Sequence, residues 1–200
     1  MIARLLPNRS MIAALGARRS HRELADHLEL FGQFVGSWEV DIRNYPADAP
    51  AWRVDGEWHF GWVLEGRAIQ DVWIAPKRAL RGGAEAAISE FGTTVRFYDP
   101  RLGAWRSTWH GPMRGVVRCF IARPVGSEIV LEGSFEPGLA NRWTFSRITP
   151  DSFHWRSVES RDGWATERLT QEMFATRTRT AGPWPGLAGG PPRLPFRGIL

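Results

Sequence analysis

Between residues 36 and 176 the chain alternates apolar and polar side chains in ten short runs separated by turn-forming residues. This cadence constrains the fold more than any other feature of the sequence. The first run, 36–43, opens Gly36-Ser37-Trp38 and continues Glu39-Val40-Asp41-Ile42-Arg43, with an apolar residue at every second position from Trp38. A period of two belongs to a strand with one buried face. The second run, 53–63, sets Gly56, Trp58, Phe60 and Trp62 on one face and Asp55, Glu57 and His59 on the other. The others lie at 67–74, 91–98, 104–110, 115–123, 127–134, 141–148, 152–160 and 164–176. Leu64-Glu65-Gly66, Asp99-Pro100-Arg101-Leu102-Gly103 and Asp162-Gly163 supply turn chemistry between them. Short strands joined without long crossovers predict an all-β protein: a single up-and-down antiparallel barrel of about ten strands, which has no free sheet edge.

The flanks read differently. Ser20 and Glu23 have capping-box spacing, and Leu24, Leu28 and Phe31 follow on one helical face. They predict a short helix over 20–32 lying against one end of the barrel. Residues 75–89 form the longest connection and are expected to cover the barrel mouth as a lid. Residues 1–19 carry four Arg and no acid, and residues 178–200 three Arg and no acid, so the net charge of +5 becomes −2 over residues 20–177. The expected division is a basic N-terminal arm (1–19), a barrel domain (20–177) and a Pro/Gly-rich disordered tail (178–200); Met11 is an alternative start to Met1. The body lacks the basic bias of a nucleic-acid protein, and no run of ~18 apolar residues predicts a membrane-spanning helix. Neither nucleic acid nor membrane is therefore an expected partner. The single cysteine, Cys119, excludes an intrachain disulfide and a thiolate metal cluster, and it reads as a small buried hydrophobe. Its lone presence points to a reducing compartment, with a cytoplasmic location the expectation.

Several motifs resemble a calycin-type, lipocalin-like bacterial domain family, many of whose members have no known function. They are Phe34-Val35-Gly36-Ser37-Trp38-Glu39, Leu64-Glu65-Gly66-Arg67, Phe97-Tyr98-Asp99-Pro100 with Gly103 and Trp105, and Leu131-Glu132-Gly133. Further on come Ile148-Thr149-Pro150-Asp151-Ser152-Phe153-His154-Trp155 and Ser160-Arg161-Asp162-Gly163-Trp164, running to Glu172-Met173. The resemblance spans about residues 20–177 and implies a ten-stranded barrel related to fatty-acid-binding proteins and nitrobindin. It implies that Trp38 plugs the closed end, with Arg168 or Arg177 as candidates to stack on it. It implies no particular reaction, because such barrels host binders, haem proteins, cyclases and lyases.

The candidate ligand residues follow from side-chain chemistry. Trp62, Trp73, Trp109 and Trp155 offer stacking faces in the upper barrel. Arg96, Arg118 and Arg156 sit within strands; turned inward, each needs a ligand anion or a carboxylate such as Glu159 or Glu172. His110 and His154 are the candidate polar or axial groups, with His59 the third strand histidine. No His-x-His, His-Glu-x-x-His or cysteine pair is present, so no metal site is expected. The leading expectation is a barrel that binds a small, largely apolar or aromatic molecule. The rivals are an isomerase, cyclase or hydratase using His or Glu on the same scaffold, and a nitrobindin-like haem binder, although no cofactor is expected. A homodimer formed through outward aromatics such as Trp52 or Trp105 is the remaining alternative.

Overall fold

The computed structural model describes residues 9–80 and 89–178. Ten strands follow one another: β2 (Gly36–Asn44), β3 (Trp52–Val63), β4 (Ala68–Ala75), β5 (Glu90–Asp99) and β6 (Ala104–Gly111), then β7 (Val116–Val125), β8 (Glu128–Glu136), β9 (Leu139–Ser146), β10 (Ser152–Ser160) and β11 (Arg168–Arg177). Each pairs antiparallel with the next, and β11 pairs with β2, so the meander closes into a barrel with no free edge. The predicted all-β, ten-stranded up-and-down barrel is the architecture observed, and most strand ends differ from expectation by one or two residues. The largest difference is at β11, which starts at Arg168 rather than at 164. Asp162 holds residues 160–166 in a broad turn instead, accepting from Ser160 Oγ (2.8 Å), Thr166 N–H (3.0 Å) and Thr166 Oγ1 (2.7 Å).

Two further elements precede the barrel. A helix α1 (Arg9–Leu15) and a two-residue strand β1 (Gly16–Ala17), which pairs with Val63 and Trp62 of β3, lie within the stretch expected to be an arm. The helix expected over 20–32 is a 3-10 turn, Arg22–Leu24, followed by α2 (Ala25–Gly32). The Ser20 capping box does not form: His21 precedes the turn and no side chain caps it. The backbone is tied down instead, with His21 N–H donating to the Gly66 carbonyl at 2.9 Å. Gly66 has φ +77°, and a Cβ there would lie 2.2 Å from the Arg19 carbonyl oxygen, so this turn requires glycine. Residues 81–88 of the expected lid and 179–200 of the expected tail lie outside the described residues.

The closed end is an aromatic plug. Leu28 and Phe31 of α2, with Phe34, are fully buried against Phe60, Trp105, Phe145 and Phe153. Trp38 is 1% exposed, donates its Nε1–H to the Phe34 carbonyl (2.8 Å) and meets Phe153 edge to face at 4.7 Å. Of the two arginine candidates, Arg177 covers the plug: its guanidinium carbon sits 4.1 Å over the Trp38 ring. Its N–H groups reach the carbonyls of Val35 (2.8 Å), Gln33 (2.8 Å) and Pro150 (2.6 Å). Gly36 (φ +135°) lies under this arginine, where a Cβ would sit 2.6 Å from Nη1. The Gly-Ser-Trp motif thus has a physical cause: the glycine makes room for the cation that caps the tryptophan two residues on.

Two further expectations are corrected here. Cys119 is exposed, because the inward positions of β7 are Val116, Arg118, Phe120 and Ala122 and residue 119 falls between them. Trp105 is 1% exposed and packs edge to face on Phe31, so it offers no outward aromatic for a dimer.

Candidate functional site

Above the plug the inward side chains leave space. They line a half-open cavity of about 400 Å³ bounded by Trp52 and Trp58 of β3, Trp73 of β4, Trp109 of β6, Trp143 of β9 and Trp155 of β10. Val116 and Met173 complete the apolar wall, and Asn44, Glu90, Thr94, Arg114, Arg118 and Gln171 supply the polar part. An adjoining pocket of about 310 Å³ shares Asn44, Trp109, Val116, Arg118, Trp143, Trp155 and Gln171 with it and adds, among others, Phe135, Asn141, Glu159 and Arg168.

Strand register makes this wall. Trp58 faces Trp73 across the β3–β4 pair, Thr94 faces Trp109 across β5–β6, and Trp155 faces Met173 across β10–β11. Trp73 meets Trp109 at 5.9 Å and 72°, Trp143 meets Trp155 at 5.3 Å and 64°, and Trp58 meets Trp155 at 6.3 Å and 85°. These are edge-to-face contacts, in which each ring's positive edge meets a neighbour's negative face. Gly92 gives Trp109 its place: a Cβ at 92 would lie 2.2 Å from the indole. Glycine at this strand position is explained by close approach rather than by a turn.

The polar groups of the lining are unevenly satisfied. Glu90 Oε2 pairs with Arg114 Nε at 3.1 Å, Gln171 Nε2 donates to Asn44 Oδ1 at 2.7 Å, and Glu159 Oε1 pairs with Arg168 at 2.7 Å. The Nε1–H groups of Trp58, Trp73 and Trp155 and the Asn44 Nδ2 are buried without a protein acceptor. Leaving such a group unpaired costs about 1–3 kcal/mol.

The sequence candidates divide cleanly. Trp73, Trp109, Trp155 and Arg118 line the cavity. Trp62 has the inward phase but the wrong depth; it packs against Gly32 at the end of α2. Arg96 is also inward and lies below the cavity. It is fully buried, pairs with Asp71 through Nη1 and Oδ2, and sits 5.1 Å from the Phe31 ring and 5.8 Å from Phe60 and Phe145. It takes the carboxylate expected of a buried arginine, but from the protein itself. His110 and Arg156 are exposed on the outer face, one residue out of phase with Trp109 and Trp155.

His154 is likewise outward, stacked on Phe174 at 4.6 Å with Nε2 3.1 Å from Glu172 Oε2. Tyr45 O–H donates to the same carboxylate at 2.6 Å, and the charge it faces pushes the phenol pKa up. His59 joins Ser37 Oγ (2.9 Å) and Glu57 (3.0 Å) on the outside. Burial works to raise the Glu57 pKa, but Arg78 donors and His59 outweigh it and hold the carboxyl at about 2. All three strand histidines therefore face away from the cavity, and neither of the other two, His21 and His27, lines it. The haem reading needs an inward imidazole and the barrel supplies none; the histidine acid–base reading loses its groups in the same way. The described residues hold no group of three or more His, Cys, Asp or Glu placed to bind a metal, and no helix among them is long and apolar enough to cross a membrane.

Trp58 and Trp143 were not singled out as ligand residues by sequence reasoning, nor were the Glu90–Arg114 pair and the Asn44–Gln171 pair; Trp52, expected as an outward aromatic, instead lines the cavity, half-buried. Trp58 shares the face of Trp62, and Trp143 shares the face of Phe145, so carrying the strand phase along from Trp38 would have found both.

No family model matches the chain, and no curated protein matches it. Among solved structures it is similar to the S-type phycobiliprotein lyase CPES from Guillardia theta, with 15% identity and a TM-score of 0.51 over 76% of this chain and 93% of that one. It is also similar to Rv2717c from M. tuberculosis, with 15% identity and a TM-score of 0.52 over 80% of this chain and 99% of that one. At this identity the likeness is one of fold, and it agrees with the strand order above: the chain is a closed, ten-stranded antiparallel up-and-down barrel.

Proposed function

We propose that this barrel binds a small, largely apolar or aromatic molecule in the cavity above its plug. One observation carries the proposal: about 400 Å³ of space walled by six tryptophans in a barrel whose other half is packed solid. Ligand cavities commonly run from ~300 Å³ and combine apolar walls with a few polar groups. A core built only for stability would close such a space, because a void forfeits dispersion contacts on every wall. The three indole N–H groups without protein acceptors favour a ligand that carries acceptor atoms. Arg118 is the polar anchor among the expected residues that lies in the lining.

Tryptophan fluorescence tests this. Titrating the protein with 2-naphthamide, a neutral aromatic probe, should give saturable quenching at one equivalent. Trp143→Leu should weaken it, and Trp38→Phe in the plug should leave the affinity unchanged. Quenching that never saturates, or that is lost equally in both variants, contradicts the proposal.

A further inference from the structure

The cavity has a charge that the protein does not balance. Five charged side chains belong to the lining of the cavity and its adjoining pocket: Glu90, Arg114, Arg118, Glu159 and Arg168. Four cancel in pairs, Glu90 with Arg114 (3.1 Å) and Glu159 with Arg168 (2.7 Å). Arg118 is left over. Its guanidinium rests 4.2 Å over the Phe135 ring, and its Nη1 donates a long hydrogen bond, 3.4 Å, to the adjacent Val117 carbonyl. No carboxylate among the described residues pairs with it.

The position of this surplus cation gives a direction. Arg118 lines both the tryptophan-walled cavity and the adjoining pocket that contains Phe135 and Arg168, so it stands where the two meet. The apolar wall runs from it down to Trp58, which touches the plug through Phe145 and Phe153. Asn44 lines the same two spaces with a buried Nδ2 that has no acceptor, which adds a second donor. A guanidinium is planar and presents its N–H groups as a fork that matches a carboxylate.

We propose that the ligand is a planar aromatic monoanion, bound with its carboxylate at Arg118 and its ring system inward among the tryptophans. This rests on the cavity being a ligand site and adds the charge class and orientation of the occupant. A cation would meet the uncompensated positive charge of Arg118. A dianion would bring one charge more than the lining balances.

Three probes of one shape test it: 2-naphthoate, 2-naphthamide and 2-naphthylmethylammonium, titrated by tryptophan fluorescence at neutral pH. A partly buried charge-assisted contact predicts naphthoate binding about tenfold or more tighter than the amide, with the ammonium weakest. Arg118→Gln should bring naphthoate to the level of the amide, with the amide losing several-fold less than the acid does, the difference between losing a charge contact and losing the site. Arg156→Gln, on the outer face, should keep the full preference. If Arg118→Gln fails to fold, raising the ionic strength of the native protein should narrow the gap between acid and amide. Equal affinity for acid and amide, or an acid preference that survives Arg118→Gln or high salt, overturns the monoanion assignment and leaves the cavity reading standing. Failure of all three probes to saturate overturns both.

Discussion

The buried pair of Asp71 and Arg96 separates two explanations of an inward arginine. In one it waits for a ligand anion; in the other it holds the barrel together. Both side chains are at most 1% exposed. Asp71 accepts from Arg96 through Oδ2 and from the Thr94 N–H through Oδ1 (3.1 Å), while three phenylalanine rings surround the guanidinium. Arg96→Met would strand a carboxylate in that environment. Removing one partner of a buried pair costs about 3–5 kcal/mol, because the other charge stays dehydrated. Replacing both partners by apolar residues is often close to neutral. The double variant Asp71→Leu/Arg96→Met should therefore lie within about 2 kcal/mol of the native protein, with the Thr94 N–H that loses Oδ1 accounting for part of the deficit. Urea denaturation gives the free energies. The corresponding fall in Tm for Arg96→Met is on the order of 10 °C for a chain of this size. The double variant should also bind 2-naphthamide with native affinity, since neither residue lines the cavity. If Arg96→Met costs less than about 1 kcal/mol, or the two single effects simply add, the pair is not the coupled unit described. If the double variant folds but loses the probe, Arg96 belongs to the ligand site after all.

Other outcomes follow from the same geometry. Trp38→Phe removes the donor to the Phe34 carbonyl and should cost about 1–3 kcal/mol, read by urea denaturation. Gly92→Ala drives a methyl group into the Trp109 ring and the His110 carbonyl; it should cost about 1–3 kcal/mol and weaken binding of 2-naphthamide. Glu57 is held at about 2 in the folded protein against an ordinary 4.5, so its contribution is present above about pH 5 and fades as the pH falls towards 2. The full shift corresponds to about 3 kcal/mol, and screening of the 63% exposed Arg78 brings it to about 1 kcal/mol. Glu57→Gln should thus be less stable at pH 7 by that amount and indistinguishable from the native protein near pH 2 in acid-unfolding curves.

The barrel itself was legible because its information is local. Alternation within each run and turn residues between runs define ten strands, and a meander of ten strands has one economical closure. The plug was legible for the same reason, since Gly36 and Trp38 stand two residues apart. The site was only partly legible, for two physical reasons. Adjacent residues on a strand face opposite ways, so Trp109 with His110, or Trp155 with both His154 and Arg156, could never share one lining; choosing between them needs the phase of each strand. Depth is the second reason. Trp62 and Arg96 have the inward phase, yet α2 fills the end of the barrel to which they point. That depends on a helix packing across strands far away in sequence. The failed capping box has a related cause: the approach of Gly66 ties His21 by its backbone, which no local spacing at residues 20–23 reports.

The central claim is that the six tryptophans above the plug form a ligand site. The eleven tryptophans allow a direct test, because each indole N–H can be followed separately in a nitrogen–proton NMR correlation spectrum. On titration with 2-naphthoate, the signals of Trp52, Trp58, Trp73, Trp109, Trp143 and Trp155 should move and saturate together, while Trp38, Trp105 and Trp164 stay in place. Shifts confined to Trp38, Trp105 or Trp164, or no saturable shift in the wall residues, would contradict the account.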